Sequence, residues 1–182
     1  MCFYGQSNGD DPERSGITVN IRLRTMTAQE YNDFYEYSKI HHADELMKEL
    51  HLSFDEAIQE TENELKEMLP DGQDTKDNFL MVIEDAADHR TVGFIWYLFE
   101  LTDNVKQAFL CDFVIYEPER RKGYAAAALS GMEQRAKKHG CQKSVLFVAD
   151  DNSVARNLYA KCGYVFLKKG DCGSYLKKKL CE

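Results

Sequence analysis

The chain has 182 residues, 43% hydrophobic and 12% aromatic, a composition typical of one folded domain and not of a disordered protein. Its formal net charge of -8 disfavours nucleic acid as a partner, because phosphate binding needs a basic surface. No stretch approaches the roughly eighteen apolar residues of a membrane span, and the first residues, MCFYGQSNGDDPERSG, lack the pattern of a secretory signal. We expect a cytoplasmic protein without membrane association, with a flexible arm at residues 1–16 ahead of a folded domain at 17–182.

The cysteines are scattered along the chain and form no C-x-x-C pair. They are Cys2, Cys111, Cys141, Cys162, Cys172 and Cys181. Without a secretory signal, reduced thiols are a better interpretation than a disulfide framework. The five histidines add no paired metal-ligand spacing, so we expect no metal site.

The first third of the chain predicts a strand and two helices. The alternation of apolar and polar residues in Ile17–Arg24 indicates a half-exposed strand. Two S/T-x-x-E capping boxes then open helices. The boxes are Thr27 with Glu30 and Ser53 with Glu56, and the helices extend to about Glu49 and to Pro70.

The rest of the chain alternates strands with two more helices. The predicted strands are Phe79–Asp85, Thr91–Leu101, 105–116, Lys143–Ala149, 164–170 and 174–180. The predicted helices are Gly123–His139 and Val154–Cys162, the second capped by Asp151, Asn152 or Ser153. The order β, α, α, β, β, β, α, β, α, β, β predicts a mixed α/β (α+β) fold without a repeat.

The charges are distributed unevenly. Residues 41–77 hold about twelve Asp and Glu against three Lys and Arg, whereas residues 118–182 hold about fourteen Lys and Arg against six acids. Solvated helix faces explain either half equally well. The functional alternative is an anionic ligand bound by the C-terminal half and a cationic one met by the N-terminal half.

The segment YEPERRKGYAAAAL, residues 116–129, connects a strand to a helix. The first turn of a helix has unpaired N–H groups and the positive end of the dipole, and Arg120, Arg121 and Lys122 add full charges. Gly123 and the alanines that follow let a phosphate approach the backbone. Neither a Walker A loop nor a G-x-G-x-x-G fingerprint is present. The alternative is a tight strand-to-helix turn with small residues for packing.

A second motif follows about thirty residues later. Asn152, Ala155, Tyr159, Gly163 and Tyr164 form the pattern N-x-x-A-x-x-x-Y-x-x-x-G-[FY]. Ala155 and Tyr159 are four residues apart and share one helix face. Tyr159 is either a core tyrosine or a group that lines a polar cleft, because its hydroxyl needs a partner in both cases.

Together the two motifs resemble the acetyl-CoA-binding motif and the following Asn/Tyr helix of the GNAT superfamily of acyl-CoA N-acyltransferases. The resemblance covers about 17–180, since the order of elements also fits. It implies a single-domain fold with a central, mixed, mostly antiparallel sheet of about seven strands, flanked by about four helices and splayed between the fourth and fifth strands.

The resemblance also implies how acetyl-CoA is held. Backbone amides of Arg121–Ala126 would hold the pyrophosphate, with Arg120 shaping the loop. Pantetheine would lie beside Phe113–Ile115 and contact Asn152, and Tyr159 would protonate the leaving thiolate. The implied cofactor-binding residues are Phe113, Val114, Ile115, Arg120, Arg121, Lys122, Gly123, Tyr124, Ala125, Ala126, Asn152, Ala155 and Tyr159. Two departures from the family pattern are Ala125, where glycine is commoner, and Arg121, where glycine is frequent.

An amine acceptor needs a base, because an amine with a pKa of about 10.4 is almost wholly protonated at pH 7. The first candidate is Asp112, beside the expected thioester, since burial makes a carboxylate a stronger base. Glu84 and Glu100, on neighbouring strands, are weaker candidates. His41 and His42 complete the set of candidate bases.

The expected activity is transfer of an acetyl group from acetyl-CoA to an amine by direct attack in a ternary complex. A covalent acyl-cysteine route through Cys111 and a non-catalytic acyl-CoA-binding module are the competing hypotheses. The acidic excess near the two N-terminal helices favours a cationic acceptor: a polyamine, a small amine or a protein amino group. The C-terminal strands could support a homodimer.

Overall fold

The computed structural model describes residues 19–181, with Lys48 and Glu49 described in backbone only. The strands are β1 (Ile21–Thr25), β2 (Asn78–Asp85), β3 (Thr91–Thr102), β4 (Val105–Ile115), β5 (Lys143–Ala149), β6 (Val165–Lys169) and β7 (Gly173–Lys179). The helices are α1 (Ala28–Leu50), α2 (Phe54–Met68), α3 (Tyr124–Lys138) and α4 (Ser153–Lys161). The predicted order of elements is confirmed.

The predicted first strand begins later than expected. Ile17 lies outside the described residues, as does the predicted arm at 1–16, so the division into arm and domain stays a prediction. β1 begins at Ile21 because its ladder partner β2 ends there, with Ile21 opposite Asp85. Beyond this pair, the Asn20 carbonyl accepts from the Ala86 amide at 3.0 Å.

Residues Met26–Leu80 form one compact unit. Both predicted capping boxes are present, with Thr27 and Ser53 as the N-caps of α1 and α2. Small residues let the two helices approach closely: Ala43 and Ala57 are fully buried, and Leu46 packs beside them. The two helices therefore form a hairpin with its own small apolar core.

The second compact unit begins again at Met81 and contains α3, α4 and the sheet apart from the first three residues of β2. The strand order is β1-β2-β3-β4-β5-β7-β6. The pairs β1–β2, β3–β4, β5–β7 and β6–β7 are antiparallel, whereas β4–β5 is parallel. The fully buried side chains of this unit include Ile83, Ile95, Leu129, Met132 and Leu146, from β2, β3, α3 and β5. The predicted mixed, mostly antiparallel sheet is confirmed.

Within the described part of the chain, no helix is both long enough and apolar enough to cross a membrane.

Candidate acyl-CoA site

The site is built where two neighbouring parallel strands end. β4 leads through residues 116–123 into α3, and β5 leads through residues 150–152 into α4. Because β4 and β5 are parallel, their carboxyl ends and the N-termini of the following helices lie at the same edge of the sheet. Crevices at the carboxyl ends of parallel strands are where open α/β sheets bind ligands.

The two strands separate at this edge. Their pairing extends from Gln107 opposite Lys143 to Leu110 opposite Leu146. β4 then continues to Ile115 and β5 to Ala149 without pairing to each other in this ladder. The predicted splay between the fourth and fifth strands is confirmed.

A bulge in β4 lies at the start of the splay. Trp96 of β3 pairs with Asp112, and the next residue, Tyr97, pairs with Leu110, which leaves Cys111 as an extra residue. A bulge interrupts the ladder and locally re-aims the strand. The segment Phe113–Ile115, predicted to lie beside pantetheine, begins two residues after the bulged Cys111. Val114 is buried, while Phe113 and Ile115 are half-buried on the opposite face.

The first turn of α3 leaves its backbone amides without a side-chain cap. The N-cap residue is Gly123, with φ at +95°, where a side chain is disfavoured. A Cβ there would also lie 2.6 Å from Cγ2 of Val19. Gly123 and Ala126 are exposed and Ala125 is half-buried. Small residues and uncapped N–H groups fit an anion such as a pyrophosphate.

The three cations of the loop have different surroundings. Nε of Arg120 donates to the carbonyl of Ile115 at 3.1 Å, which ties the loop to the end of β4. Nζ of Lys122 pairs with Glu119 at 3.1 Å, so part of its charge is offset. Arg121 is exposed and has φ at +62°. This left-handed conformation explains physically why glycine is favoured where Arg121 stands.

Tyr124 is the first residue of α3, and its side chain turns inward. It is 5% exposed, and its hydroxyl donates to the carboxylate of Asp85. The prediction for Tyr124 concerned its backbone amide, which lies in the uncapped first turn of α3. The side chain itself anchors the helix start to the end of β2.

Asn152 is the N-cap of α4, as one of the three predicted options. Its Oδ1 accepts from the Ala155 amide at 3.0 Å, and the residue is 3% exposed. Ala155 is half-buried in the first turn of α4. The cap therefore fixes the Asn152 side chain at the edge of the sheet where the first turn of α3 also lies.

Tyr159 lies on the same face of α4 as Ala155 and is 3% exposed. Its ring is tilted against Tyr164, with 5.8 Å between centroids. The hydroxyl of Tyr164 is hydrogen-bonded to Ser144 Oγ at 2.8 Å, and burial raises the pKa of Tyr164. Both tyrosines are buried, and the Tyr164 hydroxyl is engaged by Ser144.

The sequence model of the Acetyltransferase (GNAT) family matches residues 34–164 of the chain. The chain belongs to the GNAT acetyltransferase family. The resemblance based on the two motifs is thereby confirmed.

Individual GNAT proteins extend the match over most of the chain. The uncharacterized N-acetyltransferase YycN of Bacillus subtilis is 31% identical over 146 residues, covering 80% of this chain and 93% of YycN. The YycN crystal structure superposes with a TM-score of 0.76 and covers 90% of this chain and 100% of the YycN chain. The described fold is therefore the GNAT fold.

Two more distant structures share the fold. PaiA N-acetyltransferase of Thermoplasma acidophilum, solved in complex with coenzyme A, is 20% identical with a TM-score of 0.63, and the match covers 88% of this chain and 99% of PaiA. The spermidine N-acetyltransferase of Vibrio cholerae, solved with CoA and spermine, is 19% identical with a TM-score of 0.57, and covers 86% of this chain and 92% of that one.

The two leading candidates for the general base, Asp112 and Glu84, have different surroundings. Asp112 is 3% exposed and follows the bulge residue of β4. Glu84 is bound by Nδ1 of His89 at 3.0 Å and by Nε of Arg24 at 2.9 Å. The hydrogen bond from His89, and then that from Arg24, lower the pKa of Glu84, which makes its carboxylate a weaker base. Asp112 stays the first candidate and Glu84 the weaker one.

Glu100 and the two histidines are engaged by neighbouring groups. Glu100 accepts a hydrogen bond from Gln107 of the paired strand. His41 Nδ1 contacts the Tyr37 carbonyl within α1 at 3.0 Å, and His42 pairs with Glu64 of α2. All three stay candidates behind Asp112, which lies at the start of the splay between β4 and β5.

Cys111 is a poor nucleophile in its environment. It is 6% exposed, and its thiol donates to the carbonyl of Phe109 at 3.8 Å. Burial, and after it the neighbouring Asp112 carboxylate, raise the pKa of Cys111 well above its usual range. Because the thiolate is the reactive form, these surroundings disfavour an acyl-cysteine route.

A polar network behind the α3 turn is absent from the sequence-based predictions. It joins Asp85, Arg90, Glu119, Lys122 and Tyr124. The 39 positions between Asp85 and Tyr124 exceed the range of any local motif. The only local signal is the segment AADHR, residues 86–90, which is short enough for a tight turn between the predicted strands Phe79–Asp85 and Thr91–Leu101.

Proposed function

We propose that the protein transfers an acetyl group from acetyl-CoA to the amine of an acceptor by direct attack in a ternary complex. One observation carries this proposal: the uncapped first turn of α3 opens at the same sheet edge as the splay between β4 and β5. The turn suits a pyrophosphate, and the splay suits a narrow arm that leads to a thioester.

The donor would be held mainly by backbone. The amides of Arg121–Ala126 would bind the pyrophosphate, with Arg121 and Arg120 adding positive charge. Strand residues 113–115 and Asn152, the N-cap residue of α4, would line the pantetheine arm. No metal takes part in this scheme.

The reaction needs proton transfers at two atoms. The acceptor nitrogen, an ammonium at neutral pH, must lose one proton before its lone pair can form the new bond to the acyl carbon, and a second proton once that bond has formed. Asp112 would accept these protons in turn, directly or through water, and release them to solvent. As the carbon–sulfur bond breaks, the Tyr159 hydroxyl would protonate the CoA sulfur, giving the acetamide and free CoA, and the tyrosine would regain its proton from solvent.

A cationic acceptor is the acceptor class that charge favours. The acidic excess of residues 41–77 attracts amines that carry further positive charges, such as polyamines. The fold is shared with an enzyme that acts on spermidine, which fits this class but at 19% identity does not define it. Small amines and protein amino groups are the other members of the class.

The test measures thiol release from acetyl-CoA across a panel of amines with the wild-type protein and two tyrosine variants. Tyr159→Phe should lower kcat by about a hundredfold or more with an unchanged Kd for CoA, because a positioned general acid contributes about 10²–10⁴-fold. Tyr164→Phe is the matched control, since it removes a neighbouring buried hydroxyl that bonds Ser144. It should lower the melting temperature and spare kcat.

The competing hypothesis is a non-catalytic acyl-CoA-binding module. Tight binding of CoA with no thiol release for any amine would establish that module. An unchanged kcat in Tyr159→Phe would instead remove only the role given to Tyr159. A cytoplasmic location and a homodimer stay predictions.

A further inference from the structure

We propose that Asp85 and Arg90, at the turn between β2 and β3, are positioning residues for the acyl-CoA loop, defined as residues 116–126. This inference rests on the proposed function, since it assigns these residues to the loop that would hold the pyrophosphate. They lie outside both sequence motifs of the family resemblance.

The turn that carries them is internally braced. The Asp85 amide donates to the Arg90 carbonyl at 2.9 Å, and Oδ1 of Asp85 accepts from the Ala87 amide at 2.8 Å. The Arg90 amide and Nε both donate to Asp88, at 3.0 and 3.2 Å. These hydrogen bonds within the turn therefore fix the positions of the Asp85 carboxylate and the Arg90 guanidinium.

Asp85 holds the start of α3. Its Oδ2 accepts the hydrogen bond from the Tyr124 hydroxyl, so the side chain of the first residue of α3 is tied to the end of β2. The hydrogen bond from Tyr124, and then that from Ala87, lower the pKa of Asp85, which keeps the carboxylate charged. A fixed first residue sets the direction in which the first amides of α3 point.

Arg90 controls charge next to the loop. Its NH1 pairs with Glu119, whose side chain is only 13% exposed. Lys122 pairs with the other oxygen of the same carboxylate. Without Arg90, the nearly buried Glu119 carboxylate would keep a single cationic partner beside a site for a doubly charged pyrophosphate. Neutralisation by Arg90 thus favours anion binding.

The loop also needs support because its backbone is strained at Arg121. Arg121 has a positive φ of +62°, which is costly for a residue with a side chain, whereas Gly123 adopts its φ of +95° without such a cost. Strained conformations persist where surrounding contacts over-determine them. The contacts to Asp85 and Arg90 end on Tyr124 and Glu119, on either side of Arg121.

The first experiment separates charge control from simple stability. The Kd for CoA is measured by calorimetry in the wild type, Arg90→Ala, Glu119→Gln and the double variant. Arg90→Ala should raise Kd about five- to tenfold, the effect expected of one uncompensated charge near a partly screened anion. Glu119→Gln should bind at least as tightly as the wild type, and the double variant should return to within about twofold of Glu119→Gln.

A structural role would not produce this rescue. If the double variant binds as weakly as Arg90→Ala, Arg90 acts through folding and the charge role is wrong. Arg22→Ala, which removes an arginine of β1, is the control and should leave Kd unchanged. Where Arg90→Ala fails to fold, Arg90→Gln replaces it with the same expected rescue.

The second experiment tests the Asp85 anchor. Asp85→Asn and Tyr124→Phe should each raise the KM for acetyl-CoA several-fold. The kcat and the KM for the amine should stay within about twofold of the wild type. The double variant should raise the KM for acetyl-CoA little beyond either single variant. Equal losses in kcat and in both KM values would overturn the assignment. If the wild-type protein does not bind CoA, the proposed function fails. If the wild-type protein binds CoA and acetylates an amine, but no variant changes the Kd for CoA or the KM for acetyl-CoA, only the positioning role of Asp85 and Arg90 fails.

Discussion

Gly123 is the residue at which backbone geometry and ligand binding coincide. Its φ of +95° costs an alanine about 1–2 kcal/mol, and the new Cβ would lie 2.6 Å from Val19 Cγ2. We predict that Gly123→Ala lowers the free energy of unfolding by at least that amount and raises the Kd for CoA tenfold or more. The distorted first turn of α3 would no longer direct its amides at one point.

Gly140 supplies the matched control for this prediction. It also has a positive φ, +79°, but an added Cβ would meet nothing within 4 Å. Gly140→Ala should therefore lose about 1–2 kcal/mol of stability through backbone strain and retain CoA affinity. Equal loss of CoA affinity in both variants, measured by calorimetry, would show that the Gly123 effect is a general consequence of destabilisation.

Single residues also show where sequence reasoning stops. Arg121 departs from the family pattern, and only the structure shows that it adopts φ of +62° in place of the favoured glycine. Asp112 could be chosen from its position next to the motif, whereas the bulge at Cys111 could not. A bulge depends on how two strands pair, and that register is not encoded in the local pattern of either strand.

Among the elements, α1 and α2 carry a titrating contact between them. Nε2 of His42 pairs with Glu64 across the helices, and Nδ1 lies 3.8 Å from Glu45 of α1. Burial opposes the charged imidazole, but the hydrogen bonds and charges of Glu45 and Glu64 outweigh burial and raise the pKa of His42 above 6.5. The charged form therefore stabilises the hairpin.

The direction of the pH effect follows from that raised pKa. The stabilisation is fully present below pH 6.5 and is lost as the pH rises through the folded-state pKa of His42. We predict that His42→Gln costs about 1 kcal/mol of unfolding free energy at pH 6, since Glu64 is half exposed, and less at pH 9. Urea unfolding at both pH values measures the difference.

A double-mutant cycle assigns the effect to the pair. Glu64→Gln should show the same pH dependence, and the double variant should lose little beyond either single change. A cost of His42→Gln that stays constant between pH 6 and pH 9 would mean that His42 contributes packing alone.

The elements were predictable because their signals are local. The two capping boxes and the alternation of apolar and polar residues lie within single segments, and every element except β1 formed close to its predicted bounds. The uncapped glycine turn before α3 was visible for the same reason. The bracing of that turn by Asp85 was not, since contacts between distant segments depend on the packed fold.

At the scale of the whole molecule, the uneven charge makes a prediction about rate. If the acceptor is cationic, the acidic excess of residues 41–77 should attract it at long range. Salt would screen this attraction, with a Debye length of about 30 Å at 0.01 M and about 8 Å at 0.15 M. At saturating acetyl-CoA, kcat/KM for a polyamine should fall roughly tenfold between 0.02 and 0.5 M salt. A monoamine with the same reacting end should change less than about twofold.

Charge-neutralising variants assign that salt dependence to the acidic half. Glu60 and Glu67 are exposed on α2, and neither belongs to a capping box. The double variant Glu60→Gln/Glu67→Gln should weaken the salt dependence for the polyamine while the kcat for the monoamine stays unchanged. Removing two of about nine excess negative charges reduces the attraction but not the chemistry. Equal kcat/KM for polycationic, neutral and acidic amines at low salt would show that the acidic half does not select the acceptor.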